Sequence, residues 1–203
     1  MMGSGVGIRA GVPADAAGGE AVYAAAFTED PVKSWALPRG SAGLVGALVV
    51  RPLEEGEVAV AERGGAIVGV ATWLDLETSE RIAGQAEELA ALACAQPGLG
   101  RLAATMGLLA EHHPDRDHDY LATMGVAPGA RGRGVGGALL EHRLAAAEGR
   151  RRPAYLEAST GASARLYARY GFAALGPALE LAEGGPLCRP MWREPAAGTG
   201  AQR

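Results

Sequence analysis

The stretch that decides the fold is Val126-Ala127-Pro128-Gly129-Ala130-Arg131-Gly132-Arg133-Gly134-Val135-Gly136-Gly137-Ala138-Leu139-Leu140. An apolar β-compatible run, Tyr120 to Ala127, feeds a glycine and arginine loop. An amphipathic helix follows from Gly136 to Glu148, with Leu140, Leu144 and Ala147 on one face. Such a loop turns backbone N–H groups and a helix N-terminus toward one point, and glycine lets a phosphate approach with no Cβ in the way. A diphosphate is the ligand this chemistry suits. Gly132, Gly134 and Gly137 also satisfy G-x-G-x-x-G, with Glu157 near where a ribose-binding acid would stand. Against a dinucleotide site, Pro128 to Arg131 intervene between strand and glycines, and the preceding region does not alternate strand and helix. No Gly-Lys-Ser/Thr follows, which excludes a Walker loop.

Outward from the loop, Gly5–Gly11 reads as a first strand, and Pro13 and Asp15 start a helix that runs to Phe27. A short amphipathic piece surrounds Trp35, and Leu44–Val50 is expected to be helical. Val58–Glu62, Gly64-Gly65 and Ala66–Leu74 form a strand, turn and strand of hairpin type. Between Ser79 and His112 two helices fit, broken at Gln96-Pro97-Gly98, the second being Leu99–Glu111. Pro153–Ala158 is a strand, Ser163–Tyr170 a helix stopped by Gly171, and Phe172–Leu175 with Leu187–Trp192 a final pair of strands. Residues 1–195 are expected to be one domain and 196–203 a disordered tail.

The 203 residues are 48% hydrophobic and 21% charged, which excludes disorder as the main state. With 43 Ala and 31 Gly, abundance of either residue is weak evidence for any element. A net charge of −4 argues against general nucleic-acid binding. The longest apolar run, Ala42–Val50, is too short to span a bilayer, so a soluble cytoplasmic protein is expected, with no membrane partner. Cys94 and Cys188 match no metal or redox spacing and read as reduced thiols. The run Glu111–Asp119 lacks fixed ligand spacing and reads as a connector, not a metal site. Arg150-Arg151-Arg152 reads as a solvated helix end.

Arg131-x-x-Gly134-x-Gly136 behind Gly125-Val126-x-Pro128, then Tyr155-Leu156-Glu157-Ala158-Ser159, then Tyr167-Ala168-Arg169-Tyr170-Gly171-Phe172, together resemble the GNAT superfamily of N-acetyltransferases. Leu121–Val126, His112-His113-Pro114 and Ala26-Phe27 before Pro31 resemble its branch that acetylates puromycin. The resemblance implies an α/β fold: a mixed, mostly antiparallel central sheet, splayed between two strands beside Val126 and flanked by helices. It implies acetyl-CoA as co-substrate, no metal, and Met124, Gly125, Val126, Arg131, Gly132, Arg133, Gly134, Val135, Gly136, Gly137 and Ser163 as cofactor contacts. Ser163 stands where relatives usually carry Asn. The expected chemistry is direct transfer in a ternary complex. The Val126 N–H would hold the thioester oxygen, Tyr167 would protonate the departing thiolate, and Glu157 would take the amine proton. The acceptor is expected to be a small primary amine, such as an aminonucleoside or other antibiotic in a resistance role, walled by Phe27, Asp30, Trp35 and Tyr120, with His113 and His118 as further lining candidates. A peptide amine, or a sensor that binds acyl-CoA without catalysis, are the alternatives. The sequence leaves monomer and homodimer both open.

Overall fold

The structure is a computed structural model and describes residues 5–38 and 51–196. The elements, in chain order, are β1 (Gly7–Ala10), α1 (Ala16–Glu29), α2 (Pro31–Ala36), β2 (Val58–Arg63), β3 (Ala66–Leu76), α3 (Glu80–Ala95), α4 (Gly100–Glu111), β4 (His118–Val126), α5 (Val135–Gly149), β5 (Ala154–Ala158), α6 (Gly161–Arg169), β6 (Ala173–Ala174), β7 (Leu179–Glu180) and β8 (Leu187–Arg193). The expected helix at Leu44–Val50 lies outside the described residues, as does the expected tail beyond Ala196.

The strands make one sheet in the order β1-β2-β3-β4-β5-β8-β6, with β7 on β8. Every pair is antiparallel except β4 and β5. The β2–β3 turn places Gly64 at φ 58° and Gly65 at φ 79°, two consecutive left-handed residues of the kind a tight hairpin demands.

Alternation along the strands sorts side chains into two cores. Val60 and Val70 face α1 through Val22, Tyr23 and Phe27, and farther along the same face Leu74, Leu76, Tyr120, Tyr155 and Trp192 meet Ile82 of α3. On the opposite face, Ala59, Ala61, Ala71, Trp73, Leu121 and Leu156 pack against Val135, Leu139, Leu140 and Leu144 of α5. The buried α5 residues recur at steps of three and four, the helical stripe read from the sequence. Helices therefore flank the sheet on both faces.

The parallel contact of β4 with β5 is two residues long: Asp119 opposite Ala154, and Tyr120 opposite Tyr155. Beyond Tyr120 the strands part, and the expected splay beside Val126 is present. Asp119, fully buried, anchors the closed end. Its carboxylate accepts from Arg143 at 2.8 Å and from Arg150 at 2.9 and 3.0 Å, with Arg152 Nε at 3.6 Å. Arg152 is half-buried, pairs with Asp75 and Asp117, and donates to the Leu76 and His118 carbonyls. The arginine run is thus not a solvated helix end: two of its three members clamp the start of β4 to the end of α5, because the buried carboxylate needs paired donors.

No helix among the described residues is long and apolar enough to cross a membrane. Replacing Asp119 with Ala leaves three guanidinium groups around an uncompensated buried void. We expect a loss of about 3–5 kcal/mol in urea unfolding, with a reduced midpoint and an unchanged slope.

Candidate active site

The site begins with a backbone edge. Ala127 N–H donates to Val68 O of β3 at 3.0 Å, so by strand alternation Val126 and Met124 turn their N–H and C=O groups the other way, into the splay. Arg131 Nε donates to Val126 O at 3.1 Å, which fixes that direction independently. Since β5 pairs only as far as Tyr120, no strand partner meets these groups. Gly125 between them has a different reason to be glycine: a Cβ there would lie 2.8 Å from the Tyr23 ring, so its absence lets α1 close on β4.

Across the gap stands the N-terminus of α5. Gly132 (φ 69°) and Gly134 (φ 82°, the N-cap) adopt left-handed backbone that costs any other residue about 1–2 kcal/mol. No side chain caps α5, so its first-turn N–H groups face the opening. The cleft between these parts has a volume of about 570 Å³ and is lined by Met124 to Val126, Arg131, Gly132, Gly134 to Gly137 and Ser163. Its remaining walls include Glu29, Asp30, Thr160, Leu166 and Arg169. Of the eleven expected cofactor positions, Arg133 alone is not among the lining residues. Arg131 also pairs with Glu29, joining the loop to the end of α1.

Ser163 has a local duty. Thr160 Oγ1 accepts from Ser163 N at 2.9 Å, and Ser163 Oγ accepts from Thr160 N at 3.1 Å, a reciprocal cap on α6. Asp30 is likewise engaged: Oδ1 accepts from Val32 N and Lys33 N at 3.0 and 2.9 Å, capping α2, and Oδ2 accepts from Ser159 Oγ. Asp30 lines the cleft while tying the α1–α2 corner to the end of β5.

Tyr167 is buried on α6 with its ring 6.1 Å from Phe172. Among the described residues its hydroxyl has no hydrogen-bond partner, and burial, then the Asp30 charge, raises its pKa above the ordinary phenol value. Glu157 sits on the other side of β5, where Tyr120 Oη donates to its Oε2 at 2.9 Å. Its other oxygen, Oε1, and the neighbouring Tyr155 hydroxyl are buried without a partner. Burial pushes the Glu157 carboxyl up to about 7, against the opposing hydrogen bond from Tyr120. A carboxylate poised there changes charge in the range where a general base is useful.

Three expected wall residues do not line the cleft. Phe27 is buried in the α1 core, stacked on Tyr23 with centroids 5.2 Å apart. Trp35 packs against Leu181, Leu179 and Leu109 beneath the Arg101 guanidinium, whose carbon lies 4.9 Å from the indole. Tyr120 is buried and bonded to Glu157, and neither of these nor Tyr167 is among the residues that line the cleft. His113 and His118 also lie beneath the sheet surface, not in the cleft, and Nε2 of one is 3.1 Å from Nε2 of the other. His118 Nδ1–H donates to Arg116 O at 2.6 Å, so its Nε2 accepts and His113 Nε2–H donates. Burial pushes His113 down to about 4, leaving it neutral. No group of three or more potential metal ligands occurs among the described residues.

Thr160, Leu166, Arg169 and Tyr155 were given no site role from sequence, although Tyr155 and Arg169 stand within the quoted motifs. Thr160 was recoverable in part, since Thr-x-x-Ser is the capping spacing with Ser in place of the usual Glu or Gln. Nothing local gives Leu166 or Arg169 a place in the cleft.

Comparison with known proteins bears on this geometry. Residues 54–174 match the family model described as the acetyltransferase (GNAT) domain. A Corynebacterium glutamicum protein described as histone acetyltransferase HPA2 and related acetyltransferase is similar at 28% identity and TM-score 0.67, over 96% of this chain and 98% of that one. The polyamine N-acetyltransferase of Drosophila melanogaster, which forms N-acetylagmatine, shares the fold at TM-score 0.72 and 18% identity, over 94% of this chain and all of that one. An agmatine N-acetyltransferase shares it at TM-score 0.75 and 18% identity, over 93% and 99% of the two chains.

Because Glu157 has a folded-state pKa above its unfolded value, the folded protein holds a proton the unfolded chain has lost between about pH 4.5 and 7. Stability from this group is therefore fully present below 4.5 and lost as pH rises through 7. Glu157→Gln is expected to stabilise the protein at pH 8 relative to wild type and to lose that advantage near pH 4.5, as read by urea midpoints at the two pH values.

Proposed function

The chain belongs to the GNAT acetyltransferase family and is an N-acetyltransferase; we propose that it transfers the acetyl group of acetyl-CoA directly to the primary amine of a small molecule. The observation that carries this reading is the pair of outward N–H groups of β4 facing the uncapped glycine end of α5 across one cleft. Those two features answer the two ends of the family's co-substrate. The helix end and the N–H groups of residues 132–137 suit a pyrophosphate, with Arg131 beside them. Met124 and Val126 offer strand-like partners to the amide-bearing pantetheine arm, and the Val126 N–H would hold the thioester oxygen as negative charge develops on it.

In the step itself the amine, once neutral, attacks the thioester carbon. A C–N bond forms, the C–S bond breaks, and the amine's proton leaves to Glu157, directly or through water. Tyr167 gives its proton to the departing sulfur, and burial keeps that proton in place until the thiolate forms. Neither cysteine lines the cleft, and burial holds the Cys188 thiol protonated, at about 11. A ternary complex fits this better than a cysteine-bound acyl intermediate.

The acceptor is a finer question. The resemblance of Leu121–Val126, His112-His113-Pro114 and Ala26-Phe27 before Pro31 to puromycin-acetylating relatives supports an aminonucleoside antibiotic with a resistance role in the cytoplasm. The named activities of the polyamine and agmatine enzymes of the same fold support a cationic amine. A thiol-release screen with acetyl-CoA against puromycin, agmatine, polyamines, aminoglycosides and short peptides separates them. We expect CoA release with a small amine; release with peptides alone overturns the small-molecule reading, and CoA binding with no release supports a sensor.

Tyr167→Phe is expected to lower kcat by about a hundredfold or more while leaving acetyl-CoA affinity almost unchanged, since the ring stays and the donor goes. Stopped-flow rates and calorimetry on the same variant check both halves. Gly134→Val should abolish acetyl-CoA binding in calorimetry, because a branched side chain at φ 82° both strains the cap and fills the phosphate approach.

A further inference from the structure

Tyr120 is the last residue of β4 to pair with β5, opposite Tyr155. Alternation along β5 puts Tyr155 and Glu157 on one face and Leu156 on the other. Across that register the Tyr120 hydroxyl donates to Glu157 Oε2 at 2.9 Å, while Glu157 Oε1 is buried with no partner among the described residues. One carboxylate oxygen is held and the other is free.

Tyr120 is itself braced from behind. Its ring stacks on Tyr155 with centroids 5.7 Å apart, and His113 meets the two rings edge-on at 4.7 and 5.0 Å. His113 Nε2–H donates to His118 Nε2 at 3.1 Å, and His118 is fixed through Nδ1–H to Arg116 O at 2.6 Å. Packed against both neighbours, the Tyr120 ring aims its hydroxyl at one atom.

Other titratable groups surround Glu157: Tyr155 on its own strand, Cys188 on β8, Asp30 and Lys33 at the start of α2, and neutral His113 behind the tyrosines. Among the described residues Tyr120 alone gives the carboxylate a side-chain hydrogen bond. Burial, then the Glu157 charge, keeps the Tyr120 phenol protonated well above its ordinary range. An ionised carboxylate can only accept, so the bond favours the charged form of Glu157 and opposes its burial.

We infer that Tyr120 is a positioning residue for Glu157: its hydroxyl holds Oε2 and leaves Oε1 as the oxygen that takes the acceptor's proton. The inference rests on Glu157 being the base. Tyr120 then acts on the acceptor through the carboxylate instead of by stacking on it.

The test is a carbon-13 titration of the Glu157 carboxyl in the free wild-type and Tyr120→Phe enzymes, beside the pH dependence of kcat/KM in both and in Glu157→Gln. Tyr120→Phe keeps the ring and loses the donor. Its carboxyl midpoint and acidic limb are expected to rise together by about one to two units, as for loss of a hydrogen bond to a charged group. Above the limb its kcat should fall about tenfold or more, because the accepting oxygen is no longer held in place, with acetyl-CoA affinity by calorimetry unchanged. In wild type, with no substitution made, the Cζ carbon of Tyr120 should titrate with the Glu157 midpoint. A carboxyl midpoint unmoved in Tyr120→Phe, a kcat above the limb equal to wild type, a loss of acetyl-CoA affinity, or a Tyr120 Cζ signal blind to the carboxyl each overturns the inference. A limb that persists in Glu157→Gln overturns the base assignment instead, and the two carbon-13 readings still report separately on the hydrogen bond.

Discussion

The two-residue parallel contact between β4 and β5 is the constraint on which the rest of the molecule depends. Asp119 is pulled to the closed end by two guanidinium groups within 3.0 Å, with a third beside them. At Tyr120 the register ends, and with it the obligation of the β4 backbone to pair with β5. A sheet normally satisfies each N–H and C=O in its ladder. Here one edge of an internal strand is left open, in the middle of the sheet, where a ligand can complete it. The opening costs paired backbone, and the buried ion cluster beside it is what keeps the two strands together at the other end.

That geometry frames the proposed chemistry. A cleft entered from the glycine end of α5 meets the open edge of β4, while α1 and α2 cover the other face through the Asp30–Ser159 tie. Tyr167 and Glu157 stand on opposite sides of β5, and in the proposed mechanism the proton is given on one side and taken on the other. Both depend on burial, with opposite results. A buried phenol keeps its proton for a leaving group, and a buried carboxylate is raised to where it exchanges one near neutrality.

Much of this was legible in the sequence because it is written locally. The hairpin at Gly64-Gly65, the stripe of α5 and the glycine loop each rest on backbone rules that act within a few residues. Phe27 and Trp35 were misplaced because their positions are decided by distant partners: Tyr23 and the β2–β3 face in one case, Leu181 and Arg101 in the other. The arginine run was misread for the same reason. Charge next to Pro153 looks solvated until Asp119, a strand away, is seen to be buried beneath it. Ser163 is the intermediate case, an expected ligand contact whose hydroxyl is taken up in capping α6.

The central claim, that the unpaired edge of β4 is where the co-substrate docks, is tested most directly by hydrogen exchange of individual backbone amides with and without acetyl-CoA. The account predicts fast exchange at Met124 and Val126 in the free protein and strong protection of both, together with Gly134 to Gly136, once acetyl-CoA is added, while Gly125 and Ala127 change little. Protection confined to other parts of the chain, or amides at Met124 and Val126 already slow without acetyl-CoA and unaltered by it, would contradict it.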